Sequence, residues 1–207
     1  MVSARVKGGL GAALVVAALG YAAIAQNLPA PPPTPPMPAA EAQRTRAWDF
    51  TLTAIDGAPL PLARYRGQVV LLVNTASFCG LAPQFEGLKQ IYADYAAKGF
   101  TVIAVPSGNF KDQEYGSNKA IADHCRVTMG VKFPLAEKSE VVGPKAIPIY
   151  RWAAARFPEG ERPHWNFHKY LIGRDGRLVA AFGSRTVPTD PKITGAIEAA
   201  LRAPRRG

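Results

Sequence analysis

VVLLVNTASFCGLAPQFEGLKQIYADYAAKGFTVIAV, residues 69–105, is the stretch on which the fold reading turns. Val69-Val70-Leu71-Leu72-Val73 is an unbroken β-branched and apolar run, which predicts a central strand buried on both faces. Leu81, Phe85, Leu88, Ile91 or Tyr92, and Tyr95 then recur at helical spacing until Gly99 stops the helix. Thr101 to Val105 reads as a second buried strand. Strand, helix and strand in that order predict a β-α-β unit with parallel strands and a right-handed crossover.

Working outward, Phe50 and Leu52 alternate with polar residues and lead into Asp56-Gly57, a hairpin turn signal. On the C-terminal side, Ser117 caps a helix that carries Ile121 and Cys125 on one face. Phe167 to Ile172 and Leu178 to Phe182, joined through Asp175-Gly176, read as an antiparallel hairpin. Asp190 as cap and Pro191 as first helical residue open a last helix through Ile193, Ile197 and Leu201. The sum is an α/β domain over residues 48–201, a thioredoxin-like layout with a mixed central sheet and helices on both faces.

Of the 207 residues, 48% are hydrophobic and 19% charged, which fits a globular chain rather than a disordered one. The net charge of +10 is spread thinly, with six of the ten charges lying outside residues 48–201. Without a dense Lys/Arg stripe to displace counterions from a phosphate backbone, nucleic acid is not an expected partner. Residues 1–25 carry a basic start (Arg5, Lys7), an apolar run and the small-residue ending Ala23-Ile24-Ala25. That is the pattern of an export signal peptide, and its length also allows an uncleaved N-terminal membrane anchor. Residues 26–47 hold PAPPPTPPMP and are expected to form a Pro-rich linker, a stiff spacer or a tail left by processing. Residues 202–207 read as a basic tail. The expected location is the periplasm, free or tethered to the inner membrane.

Cys79 falls where the first buried strand turns into the helix beginning near Ala82 or Pro83. Free backbone N–H groups and the dipole at a helix start favour an anion, so a thiol there ionises more readily than an inert buried cysteine does. Gly80 lets backbone approach the sulfur. Ala82 stands where a CxxC motif would put its second thiol, so a dithiol exchanger of the usual kind is not expected, and a copper carrier, which needs paired thiols, is a distant third reading. His124, His164 and His168 have no ligand-like spacing to Cys79, so no metal is expected. Neutral donors suit a thiolate site because they hold charge without quenching it. Gln113, Trp165 and Asn166 offer such N–H groups from loops at strand ends, although singly they also read as turn residues and a core aromatic.

Three motifs, NTASFCGLAPQFEGL (Asn74 to Leu88), PSGNFKDQEYGSN (Pro106 to Asn118) and WNFHKYLIGRDG (Trp165 to Gly176), resemble those of the glutathione peroxidase family in family order. The similarity runs over about residues 48–201. It implies that Cys79 is the peroxidatic residue and that Gln113, Trp165 and Asn166 complete a catalytic tetrad. Cysteine in place of the selenocysteine of some members implies slower chemistry. Cys125 falls in the region of the resolving cysteine of cysteine-dependent members, which use thioredoxin-like reductants more than glutathione; a structural helix residue and a static disulfide are its other readings. The chain departs from the pattern at Ala82, usually Thr, and at Ser107-Gly108-Asn109. The segment from Gly143 to Trp165 is short and lacks the insertion of tetrameric members, so a monomer is expected.

The resemblance thus implies a thiol peroxidase for hydrogen peroxide or organic and lipid hydroperoxides. It would act in the response to oxidative stress, without a bound cofactor and with an external dithiol or glutathione as reductant. The alternative is a non-catalytic redox sensor or binding module of the same fold.

Overall fold

The computed structural model describes residues 32–204. Along the chain run helix α1 (Ala39–Arg44), strands β1 (Thr51–Thr53), β2 (Pro59–Pro61) and β3 (Val69–Thr75), helix α2 (Gln84–Tyr95) and strand β4 (Phe100–Pro106). Helices α3 (Asn118–Asp123) and α4 (Pro148–Arg156), strands β5 (Lys169–Ile172) and β6 (Leu178–Phe182), and helix α5 (Pro191–Arg202) follow. The main sheet has the order β4-β3-β5-β6, while β1 and β2 form a separate antiparallel ribbon. β3 and β4 are parallel, from Val69 opposite Phe100 to Thr75 opposite Pro106. β5 lies antiparallel on the other side of β3, and β6 antiparallel to β5.

The unbroken apolar run of β3 has a direct cause in this arrangement. Side chains alternate between faces, and both faces are covered. Val69, Leu71 and Val73 enter one core with Phe85, Leu88 and Ile91 of α2 and Ile193 and Ile197 of α5. Val70 and Leu72 enter the other with Ile149, Tyr150 and Trp152 of α4 and Ala42 of α1. At the end of the α2 segment Gly99 takes φ +92°, a left-handed stop that lets the chain reverse into β4. Ser117 caps α3 as expected, its side chain accepting from the Ala120 N–H at 3.2 Å.

The structure departs from the sequence reading at four points. The reading of residues 26–47 as a linker fails in the part described, because packing starts well before Trp48. Gly143 N–H donates to Thr34 Oγ1 at 3.0 Å, Met37 N–H to the Arg151 carbonyl at 3.0 Å, and Trp152 Nε1 to the Ala42 carbonyl at 3.2 Å. The alanine-rich AAEAQR that follows the prolines forms helix with little loss of side-chain freedom, and it packs beside α4. Helix α4 itself was not anticipated. Its start is Pro148 at the first turn, where a missing N–H costs nothing. The helix carrying Cys125 is also not continuous, since α3 passes into a π-turn over His124–Thr128. Arg202 belongs to α5 rather than to a tail. The signal peptide or anchor read over residues 1–25, residues 26–31, and residues 205–207 lie outside the described residues. Among the described residues no helix is long and apolar enough to cross a membrane.

Candidate active site

The site sits at the C-terminal end of β3. From Cys79 the chain makes successive tight turns, Ala82 N–H to the Cys79 carbonyl at 2.8 Å and Gln84 N–H to the Leu81 carbonyl at 2.9 Å, before α2 begins. Cys79 is buried, and the Leu81 N–H points at its Sγ from 3.4 Å. An N–H aimed at sulfur at a helix start stabilises negative charge there. Phe78, the preceding residue, is 57% exposed and packs on Tyr115 with ring centroids 4.4 Å apart.

Two other loops close on this turn. Phe78 N–H donates to the Gln113 carbonyl at 2.9 Å, tying the Gln113 loop directly beside Cys79. That loop reverses through Lys111 and Asp112, both at positive φ (60° and 47°). Lys138 Nζ holds it from outside through the Tyr115 carbonyl at 3.1 Å and Asp112 Oδ1 at 3.4 Å. The departure at Ser107-Gly108-Asn109 also has a structural account. A side chain at Gly108 would meet Asp112 Oδ1 at 2.8 Å, while Asn109 Oδ1 accepts from the Val141 N–H at 2.7 Å. The loop is therefore pinned at both ends.

The third loop brings Trp165 and Asn166. Asn166 is fully buried, and its Nδ2 donates to Gln113 Oε1 at 3.1 Å across 53 residues of sequence. This bond uses the Gln113 oxygen and not its Nε2 donors. Trp165 is half-buried, packs at a tilt against Phe110 with ring centroids 5.7 Å apart, and its carbonyl accepts from Asn74 Nδ2 and Ser184 Oγ, each at 3.1 Å. Asn74 and Ser184 were not singled out in the sequence, where each reads as an ordinary polar residue. Phe167 sits at φ +64°, and its N–H donates to the Asn74 carbonyl at 2.6 Å.

Cys125 lies in the π-turn, buried in the same core as Cys79, and neither cysteine is in a disulfide. Burial, and next the Glu114 carboxylate, push its thiol up to about 12; Arg126 opposes the shift. Glu114 is itself buried, which raises its carboxyl above the usual range against the opposing pull of Ser77, the Tyr115 N–H and Lys138. His168 is a core residue that packs edge-on against Tyr170, and burial together with the Lys169 charge pushes it down to about 3. Among the described residues no three His, Cys, Asp or Glu side chains gather as a metal site.

Fold and site together define a thioredoxin-like protein with a single thiol at the start of a helix and neutral amides on the loops around it. The family model described as glutathione peroxidase matches residues 47–154. Hydroperoxy fatty acid reductase Gpx2 of Synechocystis sp. is 44% identical over 151 residues, covering 73% of this chain and 96% of the relative. Glutathione peroxidase of Lactococcus lactis subsp. cremoris is 36% identical over 145 residues, covering 69% and 92%. The crystal structure of Trgpx in apo form aligns with a TM-score of 0.64 and 33% identity, covering 78% of this chain and 98% of its own. The chain belongs to the glutathione peroxidase family and is a thiol-dependent peroxidase acting on hydroperoxides.

Proposed function

We propose that Cys79 is the peroxidatic nucleophile and that the enzyme works through a cysteine sulfenic acid. The observation that carries this is the Leu81 N–H aimed at Cys79 Sγ beside the Gln113–Asn166 amide pair. The Cys79 thiolate bonds the terminal oxygen of the hydroperoxide, which keeps its hydrogen as S–OH; the O–O bond breaks, and the other oxygen leaves, taking a proton from solvent, as water or alcohol. Gln113, Asn166 and Trp165 donate N–H groups to the oxygen that takes up charge. Cys125 then attacks the sulfenic sulfur, water leaves, and a Cys79–Cys125 disulfide forms. An external dithiol, thioredoxin-like rather than glutathione, returns both thiols. The short π-turn around Cys125 supports this step, because so brief a segment opens at modest cost.

The name hydroperoxy fatty acid reductase, borne by a 44% identical relative, supports organic and lipid hydroperoxides as substrates alongside hydrogen peroxide. We assign the enzyme to the oxidative-stress response and to the periplasm, as a monomer that is either released by cleavage near Ala25 or tethered to the inner membrane. Peroxide consumption by the purified full chain, with thioredoxin or glutathione as alternative donors, tests the reading. Turnover with thioredoxin that disappears in Cys79→Ser supports it; turnover that survives the substitution overturns it.

A further inference from the structure

Lys169 is a lysine in a strand that is otherwise aromatic and aliphatic, and it is fully buried. Among the described residues it has no ion-pair partner. A buried ion without one is costly, and a methionine would fill the same space without a charge. Burial pushes its ammonium down to about 7, and in the protonated form its three donors meet three oxygens. Nζ donates to Gln84 Oε1 at 2.6 Å, to the Phe167 carbonyl at 2.7 Å and to the Thr186 carbonyl at 2.6 Å.

These acceptors come from three separate parts of the chain. Gln84 is the first residue of α2, five positions after Cys79. Phe167 follows Asn166 directly, and Thr186 lies in the loop between β6 and α5. The same parts are joined a second time: Gln84 Nε2 donates to the Ser184 carbonyl at 2.7 Å, and Ser184 Oγ donates to the Trp165 carbonyl at 3.1 Å. Phe167 also holds a left-handed conformation, φ +64°, which a bulky residue keeps only where its surroundings impose it. Its N–H is held by Asn74, and its carbonyl by Lys169.

We propose that Lys169 is a positioning residue of the peroxidase site, whose ammonium fixes the start of the nucleophile's helix against the loop that carries Trp165 and Asn166. It touches no substrate and transfers no proton; it keeps the Asn166–Gln113 amides aimed at the reacting oxygen. This rests on the reading of Cys79 as nucleophile and of the amides as donors. Charge-assisted bonds from one atom to three segments suit the role because they are short and strong together.

The test uses the reduced full chain and Lys169→Met. Oxidation of Cys79 by hydrogen peroxide is followed after rapid mixing, and alkylation of Cys79 by iodoacetamide serves as a probe of the thiol that needs no amide donor. Oxidation is expected to fall about 10- to 100-fold, the scale of a misplaced catalytic group, while alkylation changes less than about threefold. Lys169→Met combined with Asn166→Ala should be no slower than Asn166→Ala alone, within about threefold, because both remove the same contribution. An unchanged oxidation rate, an equal loss in alkylation, or losses that multiply with Asn166→Ala would each overturn the proposal. Should Lys169→Met fail to fold by circular dichroism, Gln84→Met leaves the ammonium two backbone acceptors and is expected to slow oxidation about 3- to 10-fold; no slowing there overturns it equally. Turnover surviving in a parallel Cys79→Ser variant would instead remove the nucleophile assignment, a failure distinct from that of Lys169.

Discussion

The segments around Cys79 and Cys125 place the same side chain in opposite surroundings within one core. Cys79 is the gateway to a 12-residue helix, with a backbone N–H on its sulfur and uncharged amides on the neighbouring loops. Cys125 lies in a five-residue π-turn, and burial and a carboxylate push its thiol up to about 12. The contrast teaches that reactivity here is a property of backbone placement rather than of the residue type. Under the proposed mechanism the thiol before the helix does the attacking, whereas burial and a carboxylate hold the one in the turn protonated.

The largest effect that can break this comparison is loss of the nucleophile. Cys79→Ser is expected to abolish turnover, by at least about 1000-fold, because an alcohol is far less nucleophilic than a thiolate. Cys125→Ser should leave the first oxidation at its normal rate yet lose thioredoxin-driven turnover and accumulate sulfinic acid at Cys79. Mass spectrometry after one equivalent of peroxide checks the pair. A wild-type product with oxidised Cys79 and free Cys125, and no disulfide, would make this a one-cysteine enzyme.

Next in size are the amides. Gln113→Ala or Asn166→Ala should slow Cys79 oxidation by roughly 10- to 1000-fold without unfolding the chain, the range for removing a donor to developing charge. Stopped-flow oxidation alongside thermal melts separates the two effects, and unchanged rates in both would demote them to loop residues.

Alkylation kinetics sharpen the comparison directly. With a thiol at about 12, about one in ten thousand Cys125 side chains is ionised at pH 8. Labelling of Cys125 should therefore trail that of Cys79 by about 100-fold or more, and mild denaturant that opens the π-turn should close the gap. Equal labelling of both thiols in the native chain would erase the distinction.

The smallest expected effect concerns Glu114. Its folded carboxyl titrates above its unfolded value, so the folded state holds a proton that the unfolded state has already released. Stability consequently falls as pH rises from the unfolded value through the folded one. Glu114→Gln should flatten that slope and raise Tm at pH 7 by about 2–4 °C, read by calorimetry across pH. The same change removes the second-largest cause of the Cys125 shift, so Cys125 labelling should quicken modestly.

The fold was largely legible where a segment's own pattern matched its burial. The run Val69 to Val73 read as a doubly covered strand because every residue in it is apolar, and the two flanking cores require that. Helix α4 escaped notice because Arg151, Arg156 and five small or aromatic residues blur its periodicity, and its burial depends on α1 docking beside it. The segment before Trp48 looked like a spacer because its prolines dominate the composition; what anchors it is a set of bonds to residues over 100 positions away. Lys169 was passed over for the same reason, since nothing local marks one lysine in a strand as buried and triply bonded.

What the sequence by itself determined is the material of the site. A lone cysteine falls between a buried strand and a helix, three motifs stand in family order, and uncharged N–H donors occur in the two later motifs. Tertiary structure alone decided that the Asn166 and Gln113 side chains meet, that the turn holding Cys125 is π rather than α, and that the buried Lys169 joins the helix after Cys79 to the loop carrying Asn166. The physical reason is range. Strand and helix patterns are written in neighbours two to four residues apart, whereas these contacts join residues that only the packed sheet brings together.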